Sequence, residues 1–297
     1  MRVWISKPQN PWHTDKRQTR DRYQVYELRK TTVGNRRLLI PENPKIVALI
    51  PALNEEKTIG HVVRGALKYV DQVVVVDDLS DDNTADIARR AGAQVITLRK
   101  RRRVGGVAKA GISYVRKIKP DILVILDADG QHDPDEIPKL VNAILEGRGD
   151  WVIGSRHLHN KNKSISNRWE NWFFRQKKNI FLKGLGNWFF SKIVTFLTGQ
   201  TITDTMSGFK ALSWGPLLNL HMKFDYAYCP EMAITLCLEG YRVSEVPVKN
   251  ISRTTGESKV VLNIFPYGIK QLGIVFYTYF RMILFKNNLI KIIKENI

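Results

Sequence analysis

Two acidic residues with one residue between them follow an apolar run near the middle of the chain. Asp127 and Asp129 come directly after residues 122–126. In an extended segment the side chains at i and i+2 lie on the same face, so both carboxylates could bind one hard cation, which would hold a diphosphate. Capping is the alternative, but Asp133 before Pro134 already supplies an N-cap for the next helix. The pattern favours a metal–diphosphate site.

Short apolar runs alternate with amphipathic segments from residue 45 onward. Residues 54–56 are predicted to open one helix, and a second is predicted through Ile87 and Ala88. Apolar strands separated by amphipathic helices predict an α/β fold with a parallel sheet covered by helices on both faces. The predicted strands are 46–50, 73–76, 94–98, 122–126 and 151–153.

Polar or acidic side chains follow three of these strands. Ligands of parallel sheets bind at the carboxyl ends of the strands, so these residues are expected at one edge. Helix capping is an alternative for Asn54, but it does not explain a doubled acid at two separate strand ends. The residues are Asn54 with Glu55, Asp77 with Asp78, and Asp127 with Asp129.

Two common nucleotide-binding motifs are absent from the sequence. The turn after the first apolar strand, residues 51–54, contains no glycine, and no Gly-Lys-Ser or Gly-Lys-Thr occurs. A dinucleotide-binding turn needs Gly-x-Gly-x-x-Gly and a P-loop needs Gly-Lys followed by Ser or Thr. Redox and NTPase functions are therefore disfavoured.

The charge of the chain favours an anionic partner. The 297 residues carry a formal net charge of +19 with 43% hydrophobic residues, which fits a folded protein that meets nucleic acid, an acidic membrane or a phosphorylated substrate. Cys229 and Cys237 lack companions at zinc-ligand spacing, so a reduced, cytosolic setting is expected.

Three regions are predicted along the chain. They are a basic N-terminal arm at 1–44, a catalytic domain at 45–260 and an amphipathic, membrane-associated tail at 261–297. The N-terminus has no apolar core of a signal peptide. The apolar stretch 272–285 is interrupted by Arg281 and is shorter than the roughly twenty residues of a spanning helix.

Six short motifs occur in a fixed order. They are IPALNEE at 50–56, VDDLSDDNT at 76–84, LDADGQH at 126–132, GSR at 154–156, SGFKA at 207–211 and RTTGESK at 253–259. Through them, residues from about 46 to 260 resemble the glycosyltransferases of family 2. These have a GT-A fold, a Rossmann-like and mostly parallel sheet. Within the family the chain is most similar to the polyprenyl-phosphate sugar synthases, such as dolichol-phosphate mannose or glucose synthase.

The resemblance implies roles for specific residues on the donor side. Asp127, Asp129 and Gln131 would hold Mg²⁺ or Mn²⁺, and Arg156 would meet phosphate. The residues that would line the nucleotide pocket are Pro51, Asn54, Glu55 and Asp78.

The resemblance also implies a loop that closes over the donor diphosphate and the acceptor phosphate, formed by Arg253, Ser258 and Lys259. A solvated basic turn is the alternative for this loop. The resemblance also places Asp204 near the acceptor; the alternative role for this residue is a structural cap or turn.

Two positions depart from the pattern of the resembled family. Val104 stands where many relatives have a loop lysine, although the arginines at 101–103 could substitute for it. Leu79 stands where a glycine usually follows the paired aspartates.

The expected reaction moves a hexose from a UDP- or GDP-sugar to a polyprenyl phosphate with inversion. A divalent metal with Arg and Lys donors would neutralise the departing diphosphate. The acceptor phosphate is already ionised, because its second pKa is about 6, so no strong general base is needed. The alternatives are a soluble or polysaccharide acceptor, and a basic nucleic-acid-binding protein, for which no recognised motif is present.

Aromatic and basic residues recur in three segments, 168–178, 180–197 and 272–297. Residues 180–197 have apolar positions at helical spacing, typical of an amphipathic helix at a membrane interface. A core-facing helix is the alternative for that segment. With the charge of +19, the three segments favour peripheral attachment to an anionic membrane on its cytoplasmic side.

Overall fold

The computed structural model describes residues 2–6, 23–27, 40–41, 43–159, 178–226, 228–249, 251 and 264–295. Near the N-terminus, strands β1 (Arg2–Ser6) and β2 (Tyr23–Glu27) pair antiparallel. The described part of 1–44 thus has local order as a strand pair. The division of the chain at 44 and 260 stays a prediction.

A seven-stranded sheet forms the centre of the described fold. Its strands are β3 (Ile46–Ala52), β4 (Gln72–Asp77), β5 (Gln94–Thr97), β6 (Ile122–Ile125), β7 (Trp151–Ser155), β8 (Lys210–Ser213) and β9 (Val243–Pro247). The helices are α1 (Ile59–Ala66), α2 (Thr84–Arg90), α3 (Arg103–Ile118), α4 (Ile137–Leu145), α5 (Arg156–His159), α6 (Lys178–Thr198), α7 (Trp214–Asn219), α8 (Cys229–Leu238) and α9 (Ile264–Glu295).

The sheet is mostly parallel, as the sequence predicts. Its strand order is β5-β4-β3-β6-β8-β7-β9, and of the described strands in this sheet only β8 runs antiparallel to its neighbours, β6 and β7. Neither β8 nor β9 is predicted from apolar runs. β8 is four residues long and contains a lysine, and β9 is only partly buried.

Helices cover both faces of the sheet, which confirms the layer prediction. Along β3, Ile50 packs with α1 and α4 on one face, and Leu49 packs with α3 and α8 on the other. Both are fully buried, and burying such a side chain contributes about 1.5–3 kcal/mol. Gly111 of α3 lies so close to Leu49 that an added Cβ would be 2.4 Å from its Cδ1.

Two local predictions are wrong. The helix predicted to open at 54–56 begins at Ile59, because residues 55–58 form a turn in which the amides of Thr58 and Ile59 donate to the Glu55 carbonyl. The strand predicted to reach residue 126 ends at Ile125, and the chain then turns at residues 128–129.

Two further observations concern the burial of the cysteines and the length and apolarity of the described helices. Cys229 and Cys237 are free and buried in α8, and burial raises the pKa of the Cys237 thiol to about 12. In the part of the chain that the structure describes, no helix combines the length and the apolarity that crossing a membrane requires.

Candidate active site

Three neighbouring strands end at the same edge of the sheet and carry the polar residues singled out in the sequence. The strands β4, β3 and β6 are adjacent and parallel. Parallel neighbours bring their carboxyl ends together, so the segments that follow them share one edge. The structure confirms that the three polar clusters meet there.

Hydrogen bonds join the loops that follow β3 and β4, at residues 53–58 and 78–84; we call these two loops the loop pair. The Asn54 amide donates to Ser80 Oγ at 2.9 Å, and Asn54 Oδ1 accepts from the Asp81 amide at 2.9 Å. The Glu55 amide donates to Thr84 Oγ1 at 2.7 Å. Asn54 therefore joins the two loops and does not cap α1, whose N-cap is Thr58.

Asp78 is the buried acid of the loop pair. Its side chain is 3% exposed, and its Oδ1 accepts a hydrogen bond from the Arg102 amide at 2.7 Å. Burial raises the pKa of Asp78, although the amides of Arg102 and Arg103 act in the opposite direction. Pro51, at the end of β3, is half-buried beside this loop. The loop pair thus presents a partly desolvated acceptor, suited to an N–H donor on a ligand.

The backbone conformation at Leu79 shows why a glycine is usual at this position of the motif. Its φ is +60°, in the left-handed region that glycine enters at no steric cost and other L-residues enter at a cost of roughly 1–2 kcal/mol. A glycine at this position would fit the turn. In this chain the turn is made with a leucine that is 42% exposed.

Asp127 lies beyond the end of β6, beside His132. Its side chain is 38% exposed, and its Oδ2 is 3.5 Å from Nε2 of His132, whose side chain is 2% exposed. Desolvation raises the pKa of Asp127. The His132 hydrogen bond and the charges of His132, Arg156 and Lys210 outweigh desolvation, so the net shift is downward. Asp127 is therefore held as a carboxylate that still reaches solvent.

Asp129 and Gln131 continue the turn after Asp127. Asp129 Oδ1 accepts from the Gln131 amide at 3.1 Å, an Asx-type turn. The same-face argument for an extended segment is thus wrong here, because Asp129 lies in a turn after the strand has ended. The Gln131 carbonyl accepts from the Ile251 amide at 3.1 Å. Ile251, which precedes Arg253 by two residues in the sequence, therefore lies beside Gln131.

The segment Ser207–Lys210 packs against Asp127. An added Cβ on Gly208 would lie 2.2 Å from Asp127 Oδ2, so a larger residue would require the Asp127 carboxylate or the backbone to move. The side chain of Lys210 is fully buried, and its Nζ donates to the Ser207 carbonyl. Phe209 packs its ring against His132, with a centroid distance of 5.2 Å.

A buried ion pair completes this part of the site. Arg156 Nε and Nη2 donate to the two oxygens of Asp204, each at 2.8 Å. Asp204 is 0% exposed and the Arg156 side chain is 29% exposed. Burial raises the pKa of Asp204, but the hydrogen bonds and charge of Arg156 lower it far more, to well below its usual range. We call Asp127, Arg156, Asp204 and Lys210 the charged corner.

The buried position of Asp204 favours a structural role over contact with an acceptor. Both of its carboxylate oxygens are bound to protein donors and none of its surface is exposed. Its partner Arg156 retains exposure, and charges on Asp204 and Asp127 raise the pKa of Arg156 against its burial. Arg156 is thus a fixed guanidinium that can meet an anion.

The structure describes the arginine run at 101–103 but not the residues of the predicted closing loop. Arg101 pairs with Asp81, Arg103 lies over the Tyr226 ring at 5.3 Å, and Val104 is 39% exposed in the first turn of α3. The substitution of this run for a lysine stays a prediction. The predicted loop residues Arg253, Ser258 and Lys259 lie outside the described residues.

The oxygen donors after β6 fit a hard divalent cation. Two carboxylates and an amide oxygen, from Asp127, Asp129 and Gln131, are the ligand types that Mg²⁺ and Mn²⁺ prefer. The carboxylate of Asp127 is kept ionised by its neighbours. Among the described residues, no three His, Cys, Asp or Glu side chains form a ready metal cluster. Because Mg²⁺ takes six ligands, three protein oxygens would leave positions for oxygens of a diphosphate.

Sequence reasoning missed several residues of the site. His132, Gly208 and Lys210 lie in the quoted motifs but are given no role there, and Gly208 lies against Asp127. Asn187 is missed altogether, although its Nδ2 donates to Asp204 Oδ1 at 2.8 Å. A histidine after the paired acids is a signal that could have been found. An asparagine within an aromatic helix gives no such signal.

Comparisons with known proteins agree with this geometry. The family model described as glycosyl transferase family 2 matches residues 47–210. The UDP-N-acetylglucosamine–dolichyl-phosphate N-acetylglucosaminyltransferase of Methanococcus voltae is 32% identical over 228 residues, covering 69% of this chain and 85% of the relative. The undecaprenyl-phosphate mannosyltransferase of Micrococcus luteus is 29% identical over 229 residues, covering 73% and 87%.

A solved structure shares the fold. Glucosyl-3-phosphoglycerate synthase from Mycobacterium tuberculosis, in complex with Mn²⁺, UDP-glucose and phosphoglyceric acid, superposes with a TM-score of 0.59 at 19% identity. The match covers 80% of each chain. The seven-stranded, mostly parallel sheet with helices on both faces is thus the GT-A architecture.

Proposed function

Because this chain belongs to glycosyl transferase family 2, and is therefore a glycosyltransferase, we propose that it moves a hexose from a nucleotide-diphosphate sugar to a polyprenyl phosphate. The transfer is inverting and metal-dependent, and it takes place at the cytoplasmic face of a membrane. The polyprenyl acceptor is supported by relatives named for dolichyl-phosphate and undecaprenyl-phosphate acceptors.

The observation that carries this proposal is the placement of Asp127. Its ionised, partly exposed carboxylate lies beside the strand end that leads into the loop pair, and Arg156 and Lys210 contribute nearby positive charge. A nucleotide bound over the loop pair would thus present its diphosphate towards Asp127 and Arg156. An anion-stabilising group next to a carboxylate is what the departure of a diphosphate requires.

Asp127, Asp129 and Gln131 would hold the metal ion, which when bound neutralises charge that develops on the leaving diphosphate. The residues themselves supply orientation. Asp78 and Asn54 fix the nucleotide end, and Arg156, held by Asp204, presents its exposed side to phosphate. The acceptor phosphate then forms the new bond at the anomeric carbon on the face opposite the diphosphate, without a general base.

The membrane part of the proposal is supported by α9, whose exposed face is aromatic and aliphatic. Its buried face holds Ile274, Val275 and Met282, with Gln271 and Thr278 at 0% exposure among them. In water the exposed face of such a helix is usually polar. An apolar or interfacial surrounding would account for the apolar exposed face. The exposed residues of the stripe are Ile269, Phe276, Phe280 and Leu284.

Transfer of radiolabelled sugar into an organic-extractable lipid tests the proposed reaction. UDP- and GDP-sugars are supplied separately, with a polyprenyl phosphate and with Mg²⁺ or Mn²⁺. Label in the organic phase that disappears with EDTA is expected. Label that stays in the aqueous phase on a soluble acceptor would instead support a soluble-acceptor transferase, and binding of DNA or RNA without any sugar transfer would support the nucleic-acid alternative.

A matched pair of substitutions tests the role of Asp127. Asp127→Asn is expected to lower kcat by on the order of 10²–10³-fold, the loss typical of removing one group that stabilises transition-state charge. Asp133→Asn is the control, because Asp133 accepts from the Asp135 amide at a helix start and Asn caps nearly as well. Equal activity in the two variants would refute the assignment of Asp127.

A further inference from the structure

Asn187 of α6 is bonded to the ion pair that fixes Arg156. Its Nδ2 lies 2.8 Å from Asp204 Oδ1 and 2.9 Å from His157 Nε2, and its Oδ1 accepts from the Met206 amide at 3.3 Å. These partners on both ends of the side-chain amide define which atom is nitrogen and which is oxygen. Asn187 is 9% exposed, so the amide is held in one orientation.

Asn187 and Arg156 share one of the two oxygens of the Asp204 carboxylate. Asp204 Oδ1 accepts from Arg156 Nη2 at 2.8 Å and from Asn187 Nδ2 at 2.8 Å. The Asn187 amide therefore fixes the carboxylate together with the Arg156 backbone amide, which donates to Oδ2 at 3.1 Å, and the carboxylate fixes the plane of the guanidinium. Losing the donor would leave a buried, charged oxygen with a missing partner, which is costly and relaxes the geometry.

A polar stripe of α6 faces the same loop. Ser191 Oγ accepts from the Thr205 amide at 3.0 Å, and Thr195 Oγ1 accepts from the Ile202 amide at 3.1 Å. With Asn187, these residues are spaced by four and lie on one face of the helix. Only Asn187 reaches the Asp204 carboxylate, while the other two bind backbone. Ser191 is thus a natural control for Asn187.

The other side of α6 is exposed and aromatic. Trp188 is 55% exposed, Phe189 is 48% exposed and Phe196 is 86% exposed. Trp188 and Phe189 directly follow Asn187 in the helix. A contact that moves or immobilises Trp188 therefore acts on the residue next to Asn187, which holds Asp204.

We propose that Asn187 is a positioning residue that couples the seating of α6 on a lipid surface to the orientation of Arg156. The coupling rests on the proposed function, since it makes turnover sensitive to the membrane. Contact of Trp188 and Phe189 with lipid orders α6, Asn187 then holds Asp204 in one rotamer, and Arg156 presents the same face to phosphate in every molecule.

The orientation of Arg156 can be measured without turnover. The Arg156 Nε–H signal in ¹⁵N NMR is assigned by its loss in Arg156→Lys, and its hydrogen exchange is compared between Asn187→Leu and Ser191→Ala. Asn187→Leu is expected to exchange roughly 10-fold faster than wild type, because local opening exposes the bonded proton. Ser191→Ala is expected to stay within about twofold. Equal exchange in the two variants overturns the positioning role.

The coupling is tested with a water-soluble, short-chain prenyl phosphate, with and without anionic phospholipid vesicles. Vesicles are expected to raise kcat of wild type and Ser191→Ala. Asn187→Leu should still sediment with vesicles, but with kcat roughly 10-fold lower or more and no stimulation. The double variant Trp188→Ser/Phe189→Ser should lose sedimentation. Stimulation of Asn187→Leu equal to that of wild type, or no stimulation of wild type, overturns the coupling.

Two controls keep the outcomes separate. Thermal melting establishes that the compared variants are folded, and Asn187→Ala, whose smaller side chain admits water, replaces Asn187→Leu if the latter fails to fold. If wild type transfers no sugar to any prenyl phosphate, the proposed function fails. The Nε–H exchange of Arg156 still decides whether Asn187 positions it.

Discussion

The loop pair and the charged corner occupy the same edge of the sheet but are built in different ways. In the loop pair, backbone amides bond to side chains 26–29 residues away, between successive strands. In the charged corner, Arg156 and Asp204 are 48 residues apart and interact through full charges. The first arrangement joins the ends of two neighbouring strands mainly through backbone amides, and the second depends on strands and helices from distant parts of the chain. Damage to the charged corner should therefore be the more costly to stability.

The largest effect on stability is expected from Asp204→Asn. Removing one partner of a buried ion pair leaves the other charge uncompensated, so a loss of about 3 kcal/mol is expected. Chemical denaturation of the variant beside wild type measures it. If Asp204→Asn lowered the free energy of unfolding no more than a substitution at an exposed position does, the importance of the charged corner for stability would be contradicted.

The same variant has a pH signature. The pKa of Asp204 is lowered in the folded protein, so its ionised form stabilises the fold above the ordinary value of 3.8 and this stability is lost as pH falls below it. Wild type should therefore lose Tm steeply in that acidic range, and Asp204→Asn should lose less. Parallel acid limbs in the two Tm profiles would contradict the assignment.

The second effect is expected from Gly208→Ala. An added Cβ would lie 2.2 Å from Asp127 Oδ2, so the backbone or the carboxylate must move, at a cost of about 1–3 kcal/mol. Gly186→Ala in α6 is the control, since nothing lies within 4 Å of its added Cβ. Denaturation midpoints of the two variants check the prediction. Equal midpoints would contradict it, because they would show that the backbone or the Asp127 carboxylate moves at little cost in stability.

The third effect concerns binding in the loop pair. Asp78→Asn should weaken binding of the donor nucleotide by roughly 10-fold, because a charged acceptor is replaced. Stability should change in the opposite direction. Burial raises the pKa of Asp78, so its ionised form destabilises the fold once pH exceeds the raised value. Calorimetry with UDP and GDP, together with Tm at neutral pH, tests both parts. A lower Tm with unchanged binding would contradict them.

The smallest effect is expected from Leu79→Gly. Relief of the left-handed backbone at φ +60° is offset in part by the greater freedom of glycine in the unfolded chain, so a gain of under about 1 kcal/mol is expected. Leu79→Ala, which keeps the strain, is the control for the lost side chain. A variant with glycine that is less stable than the one with alanine would contradict the strain.

Much of the fold follows from local sequence pattern. The apolar runs predict five of the strands, and the polar clusters after β3, β4 and β6 are correctly placed at one edge because parallel strands align their ends. The missed strands are short or half-exposed. β8 places Lys210 at full burial, a position that no hydrophobic pattern predicts.

The site is predicted less completely than the fold. Asp78, Asp127 and Arg156 lie in motifs that are recognisable in order, and the structure brings each of them to the same edge. The role of Asp204 and the contact of Asn187 are not readable in this way. Both depend on the packing of α6 against the 202–206 segment, which is a long-range event.

The sequence by itself determined the alternation of strands and helices and the acids at the strand ends, because these depend on hydrophobic periodicity and chain order. Only the tertiary structure decided that Asp204 lies buried against Arg156, that Gly208 leaves room for Asp127, and that Asn187 bonds to Asp204. Such contacts join side chains from segments far apart in the chain. Their distances are set by packing of the whole domain, which no local pattern encodes.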